Sequence, residues 1–308
     1  MSSPFHPGEQ AIQTRAGVRE QVEAMGSRMI RDHMPEQHRL FFAQLPWMLV
    51  GSLDSDGQPQ ASVLWGKPGF AHSPEPSLLR INARPEADDP LAANLHSSAR
   101  LGLLGLELPT RRRNRMNGPL LDSDGDGFAL AVQQSFGNCP KYIQARDWHW
   151  HDRAAGPLEQ GDGLDPRWLE LVKRSDTLFI ASQHLDPETG GVDISHRGGT
   201  PGFVQLRDDG RLWLPDYSGN QMFNTLGNLL LEPRCGLLWV DFASGDLLQL
   251  EARAEILWPG QDGSAGLPDL PGAERLVALT PGRWRLRRSR LPLGFDNTRP
   301  SPFLPQGH

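Results

Sequence analysis

The feature that most constrains this chain is that it repeats itself. Arg100-Leu101-Gly102-Leu103-Leu104-Gly105-Leu106 reads against Arg234-Cys235-Gly236-Leu237-Leu238-Trp239-Val240 at an offset of 134 residues. Asn94-Leu95 falls on Asn228-Leu229 at the same offset. Pro68-Gly69-Phe70 falls on Pro201-Gly202-Phe203, and Ser62 on Ser195, at 133; Met48-Leu49-Val50 falls on Leu178-Phe179-Ile180 at 130. Separated matches in one order at nearly one offset indicate a duplicated unit, and the drift fits a longer first hairpin in the second copy. A chain of 308 residues has room for two domains of about 150 residues, here divided as 1–155 and 156–308.

Each unit reads as short antiparallel strands with one small helix. Strands are expected at Trp47–Leu53 and Thr177–Ser182, at Gln60–Trp65 and Val192–His196, and at Leu78–Ala83 and Arg211–Leu214. The Asp56-Gly57 pair marks the first hairpin turn. Short helices are expected over Leu91–Leu95 and Met222–Leu230, before the aligned apolar strands. In the second unit Leu247–Leu250 continues to Ile256. The spacing of Val18, Val22, Met25 and Met29 predicts an amphipathic helix over Arg15–Arg31 ahead of the first unit. Gly156–Pro166 reads as the linker, followed by a helix over Pro166–Lys173. A Gly/Pro loop is expected beyond Pro259, then a strand at Arg283–Leu286 and irregular chain from Pro292. The 33 Gly and 27 Pro suit a turn-rich β protein. The expected fold class is mainly β with short helices, two small barrels in tandem.

Composition narrows the function classes. The net charge of −6 gives no overall pull toward nucleic acid or anionic membrane, so any anion site must be local. No apolar run approaches the ~18 residues of a membrane span, and the N-terminus lacks the form of a signal peptide. Cys139 and Cys235 are too few for a disulfide framework or a four-cysteine metal site and read as free thiols of a cytoplasmic protein. Cys139 has no defined acid/base partner in the sequence to make it a nucleophile. Asp122-Ser123-Asp124-Gly125-Asp126-Gly127 begins like a calcium loop, but Gln133 stands where the bidentate Glu belongs, so a hairpin turn is expected and no metal site. The nine tryptophans read mostly as core, with Trp65 the one that could border a ligand ring.

Asp193-Ile194-Ser195-His196-Arg197-Gly198-Gly199-Thr200-Pro201-Gly202-Phe203, then Pro215-Asp216-Tyr217-Ser218-Gly219-Asn220, Asn224-Thr225-Leu226-Gly227-Asn228 and Pro233-Arg234, resembles the pyridoxamine 5'-phosphate oxidase-like family of FMN-binding split barrels. In the first half, Phe5-His6-Pro7-Gly8-Glu9, the run Arg111–Arg115 and Gln134–Tyr142 resemble the same group, and together these cover most of residues 5–258. The resemblance implies flavin mononucleotide (FMN) held where two barrels meet, within one chain or across a homodimer. It implies an oxidoreductase passing electrons between FMN and a small substrate or a partner, with NAD(P)H or a reductase as donor. The alternative is a flavin carrier, sensor or scaffold without turnover. The sequence departs from the name-giving enzyme at Ser218-Gly219-Asn220-Gln221, which lacks the basic residues of its phosphate loop.

FMN makes three demands: donors for a phosphate dianion, a dry slot for a flat ring, and a cation or N–H near the ring edge that gains charge on reduction. Ser195, His196, Arg197 and Gly198 combine hydroxyl, imidazole and guanidinium with a backbone that can approach an anion. Ser218 or Asn220 could cap the helix that carries Asn224 and Thr225 and so form a phosphate site at its N-terminus. Arg111–Arg115, read alone, is a solvated loop or a nucleic-acid patch; at a seam between repeats, Arg112 and Arg113 would reach the ligand from the other copy. Ser135, Asn138 and Lys141 complete the candidates. No acid/base residue is evident, and His196 is the best single candidate.

Overall fold

The computed structural model describes residues 3–185, 190–259 and 270–305. The loop expected beyond Pro259 and the tip of the second unit's first hairpin therefore fall partly or wholly outside the described residues. Among the described residues no helix is long and apolar enough to cross a membrane.

Three helices lead in: α1 (Pro7–Arg15), α2 (Arg19–Met29) and α3 (Glu36–Ala43). The single helix expected over Arg15–Arg31 is thus two, because Gly17 turns left-handed at φ 73° between them. The first unit follows as β1 (Trp47–Leu53), β2 (Pro59–Trp65), β3 (Ala71–His72), β4 (Leu78–Ile81), α4 (Pro90–Asn94), β5 (Arg100–Glu107), β6 (Arg112–Ser123), β7 (Phe128–Ala131) and β8 (Gln134–Gly137). Next come β9 (Ala145–Trp150), β10 (Leu158–Asp162) and α5 (Pro166–Arg174). The second unit is β11 (Thr177–His184), β12 (Gly191–Gly198), β13 (Gln205–Leu206), β14 (Leu212–Tyr217), α6 (Asn224–Leu231), β15 (Arg234–Val240), β16 (Leu247–Leu257) and β17 (Ala273–Arg287), and β18 (Leu293–Arg299) closes the chain.

The molecule is mainly β, with two antiparallel sheets of 8 strands. Their orders are β2-β1-β5-β6-β7-β4-β3 and β12-β11-β15-β16-β17-β14-β13, the same path in both units. This architecture is consistent with two tandem β-barrel domains. The ladders fix the equivalence residue by residue. Gly51 pairs with Gly102 as Ala181 pairs with Gly236, and Val50 pairs with Ser62 as Ile180 pairs with Ser195. Asn94 donates to the Ser52 hydroxyl (2.9 Å) as Asn228 donates to the Ser182 hydroxyl (3.0 Å), tying each small helix to its first strand.

Three readings are corrected. Gly156–Pro166 contains a strand, since β10 pairs with β17. The chain after Pro292 is a strand paired with β9. Arg112–Arg115 belongs to β6, because Arg112, Arg113, Asn114 and Arg115 all pair across to β5. The Asp124–Gly127 segment is a hairpin turn as expected, with Asp124 Oδ1 accepting from the N–H groups of Asp126 and Gly127.

Strand alternation sorts side chains between three cores. Met48, Val50, Leu101 and Leu103 pack inside the first unit, and Leu178, Ile180, Leu237 and Trp239 inside the second. The opposite faces meet: Trp47, Leu49, Leu104 and Leu106 pack against Phe179, Ala181, Leu238 and Val240 in a third core between the sheets. Burial of both strand faces explains why β1 and β11 read as continuous apolar runs. Gly102 and Gly236, the glycine common to both copies of the motif, face this seam. A Cβ on Gly102 would stand 2.2 Å from the Val192 carbonyl oxygen, and one on Gly236 would stand 2.4 Å from the Pro59 carbonyl oxygen. Only glycine permits that approach, once on each side of the pseudo-twofold.

Candidate functional site

At one end of the seam, β6 of the first sheet faces β12 of the second. Arg113 and Arg115 project from alternate positions of β6, and Arg113 donates to the His196 carbonyl (3.2 Å) and Arg115 to the Ile194 carbonyl (3.1 Å). Arg115 also reaches the Ser195 hydroxyl, which Thr225 of α6 approaches at 3.0 Å, and lies 3.1 Å from the Asp193 carboxylate. Arg197 is held by Asp216 (3.1 Å), whose other oxygen is held by Arg275 (2.9 Å). Lys141 and Tyr142, from the chain after β8, point at the same cleft, and Tyr142 donates to the Ser218 carbonyl (3.0 Å). The chain has two tyrosines, and they meet here: Tyr142 and Tyr217 have ring centroids 5.1 Å apart at 36°.

The electrostatics are those of cations crowded without enough counter-charge. Burial, with Arg197 and Arg115 as neighbours, pulls the Arg113 guanidinium down to about 10. Arg197 is lowered for the same reasons, with Asp216 opposing. Burial, then Arg113, Arg197 and Arg146, holds the His196 imidazole neutral, well below its ordinary range. Burial, then Tyr142, pushes the Tyr217 phenol up to about 12. Among the cleft residues, Nε of Arg115, Nδ2 of Asn138 and Nε2 of His196 lack a protein partner, with Arg115 and His196 only 2% and 4% exposed. Buried donors are rarely left so, and all three residues line the cleft. The arrangement can hold an anion. Its volume is about 90 Å³, against the ~300 Å³ lower end for small-molecule pockets, so it accommodates the anionic end of a larger ligand that extends out of the open cleft.

Of the candidates from sequence, Ser195, His196, Arg197, Gly198, Asn220, Asn224, Thr225, Arg113, Asn138 and Lys141 line this cleft. Three do not. Arg112 points to the other face of β6, over the Phe41 ring at 5.0 Å. Ser135 is buried with its hydroxyl 2.8 Å from Nδ1 of His38. Ser218 offers the tyrosine its carbonyl rather than lining the cleft. Nor does Ser218 or Asn220 cap the helix, since α6 starts after Phe223 with no side-chain cap, and Asn220 instead accepts from the Met222 N–H (3.2 Å). Trp65 is not among the lining residues. Sequence reasoning passed over Arg115, Tyr142 and Tyr217. The first was findable, because a β6 strand puts Arg113 and Arg115, not Arg112 and Arg113, on one face.

Among the described residues no group of three or more His, Cys, Asp or Glu side chains could hold a metal. No protein-family model and no curated protein matches the chain. Among solved structures, a candidate pyridoxamine 5'-phosphate oxidase from Lactobacillus delbrueckii is 16% identical, over 34% of this chain and 95% of its own, with a TM-score of 0.28. A candidate 5-nitroimidazole antibiotic resistance protein from Bacteroides thetaiotaomicron is 10% identical, over 48% of this chain and 98% of its own, with a TM-score of 0.25. Each resembles a part of this chain, and the reading of the site rests on its own residues.

Proposed function

We propose that this chain binds FMN at the seam of its two sheets and serves as a flavin-dependent oxidoreductase. The observation that carries the reading is the cleft itself: Arg113 and Arg115 from one repeat and Arg197 from the other converge on it, with Arg115 Nε and His196 Nε2 buried and unpartnered. Such donors fit a phosphate dianion, whose charge-assisted bonds would satisfy them. Arg115, Arg197 and the Ser195 and Thr225 hydroxyls hold that group. Tyr142 and Tyr217 offer flat surfaces in the same cleft for an aromatic ring. The sequence resemblance, rather than the cleft's volume, selects flavin among phosphorylated aromatics.

When bound, the flavin supplies reversible electron transfer. The residues of the chain bind, orient and polarise. Arg113, fixed by the carbonyls of Cys139 (2.6 Å) and His196, keeps a positive charge in the seam where negative charge is to be stabilised. His196 stays neutral, so it serves as a hydrogen-bonding group and not as a proton donor near neutral pH.

The purified chain decides between this enzyme and a flavin carrier without turnover. FMN should be retained through dialysis, with absorbance near ~450 nm. Bleaching by NADH, NADPH or a reductase identifies the enzyme; resistance to all of them with flavin retained identifies the carrier. A chain that takes up no FMN at micromolar concentration refutes the proposal.

A further inference from the structure

The pseudo-twofold that makes one cleft must make two. The ladders equate Arg113 with Leu247, Arg115 with Gln249, Ser195 with Ser62 and Arg197 with Leu64. At the second position, then, β16 faces β2 as β6 faces β12, but each cleft arginine has become Leu or Gln. The hydroxyl is kept and its surroundings differ. Ser62 donates to the Asp89 carboxylate (2.5 Å), and Gln249 lies 3.2 Å from that hydroxyl and 3.3 Å from the other Asp89 oxygen. Asp89 is the residue before α4 and corresponds to Phe223 before α6, so it enters the second seam from the side on which Thr225 enters the first. Its charge is met by Arg287 at 2.8 Å, a guanidinium 1% exposed that belongs to the other sheet. Arg287 reaches the seam from β17 at the position that Asn138 holds beside Arg113 in the first cleft.

We propose that the second seam is an anion site that the chain fills with its own Asp89 carboxylate, so that one chain takes one phosphorylated ligand. The stoichiometry rests on the function proposed above; the self-filled site rests only on the geometry just given. Asp89 accepts at once from Arg287 Nη1, Ser62, Gln249 and the Leu91 N–H (2.9 Å), while Asp88 and Glu86 hold the other Arg287 nitrogens; those four donors are what an external carboxylate would meet in its place. An exogenous carboxylate could take its place only where that side chain is removed.

Two measurements on the full chain test this. FMN titration of the ligand-free protein should saturate at one per chain; saturation at two overturns the proposal. Uptake of none refutes the flavin reading and leaves the self-filled site to the second measurement. For that, Asp89→Gly is compared with wild type in sodium formate and in sodium chloride of equal ionic strength. Formate should raise the melting temperature of Asp89→Gly by about 2–4 °C over chloride and leave wild type unmoved. If the variant does not fold in chloride, recovery on refolding from denaturant with formate is read instead. Asp89→Asn, which keeps the side chain's volume and cap, should show no formate response. No formate effect on Asp89→Gly, or an equal effect on Asp89→Asn, overturns the self-filled site.

Discussion

Replacing Glu9 with glutamine should flatten the pH dependence of stability. Glu9 sits in the first turn of α1 and is 5% exposed. Its carboxylate accepts from the His6 N–H (2.9 Å) and from the Asn224 side chain at the start of α6. Burial, reinforced by the Asp193 charge, pushes its pKa from 4.5 up to about 8, against the opposing pull of those hydrogen bonds and of Arg115. The folded protein thus keeps a proton that the unfolded chain releases near pH 4.5. The associated stability is fully present below pH 4.5 and is lost as pH rises through about 8. Inside that window each pH unit costs about 1.4 kcal/mol, so the wild type should lose about 2–3 kcal/mol from this group between pH 5.5 and 7.5. The glutamine side chain resembles the neutral acid and does not titrate. Urea unfolding of both proteins without flavin, at pH 5.5, 6.5 and 7.5, reads the difference directly, because every other titrating group is common to the two. Stability of Glu9→Gln relative to wild type should climb across the series. Parallel pH profiles would refute the reasoning, since Glu9 would then ionise alike in both states.

Further outcomes follow from the site and the seam. Arg197→Ala and Arg115→Ala should each weaken FMN binding by about 2–3 kcal/mol, roughly 30- to 150-fold in Kd, by equilibrium dialysis. Arg112→Ala should leave the Kd unchanged and Arg113→Ala should raise it, since strand alternation separates them; equal effects would refute the face assignment. Gly102→Ala and Gly236→Ala should each destabilise by about 3 kcal/mol in chemical unfolding, because the added methyl meets backbone across the seam. The substitution at solvent-facing Gly125, with nothing within 4 Å, should be near neutral and serves as the control.

Duplication and the principal apolar strands of each copy were legible in the sequence. The first strand of each copy and the aligned strand that pairs with it are apolar runs bounded by turn residues, and Gly102 and Gly236 carry the same close approach in both copies. Local pattern misread the segments whose partners lie far away. β10 and β18 are polar and find their strands at Arg283–Arg287 and Ala145–Trp150. A polar strand has no periodicity to announce it, so only the tertiary pairing reveals it. The arginine run was visible as charge but not as a strand, and strand geometry is what separates Arg113 and Arg115 from Arg112.

By itself, the sequence determined a twice-built β unit with an apolar face on either side of its first strand, because side-chain chemistry and period-two alternation are local properties. The tertiary structure alone decided that the two seams differ. Tyr142 meets Tyr217 across 75 residues, and Asp89 meets Arg287 across 198. Which charges confront one another in a low-dielectric seam depends on how the two sheets pack, and no local pattern records that.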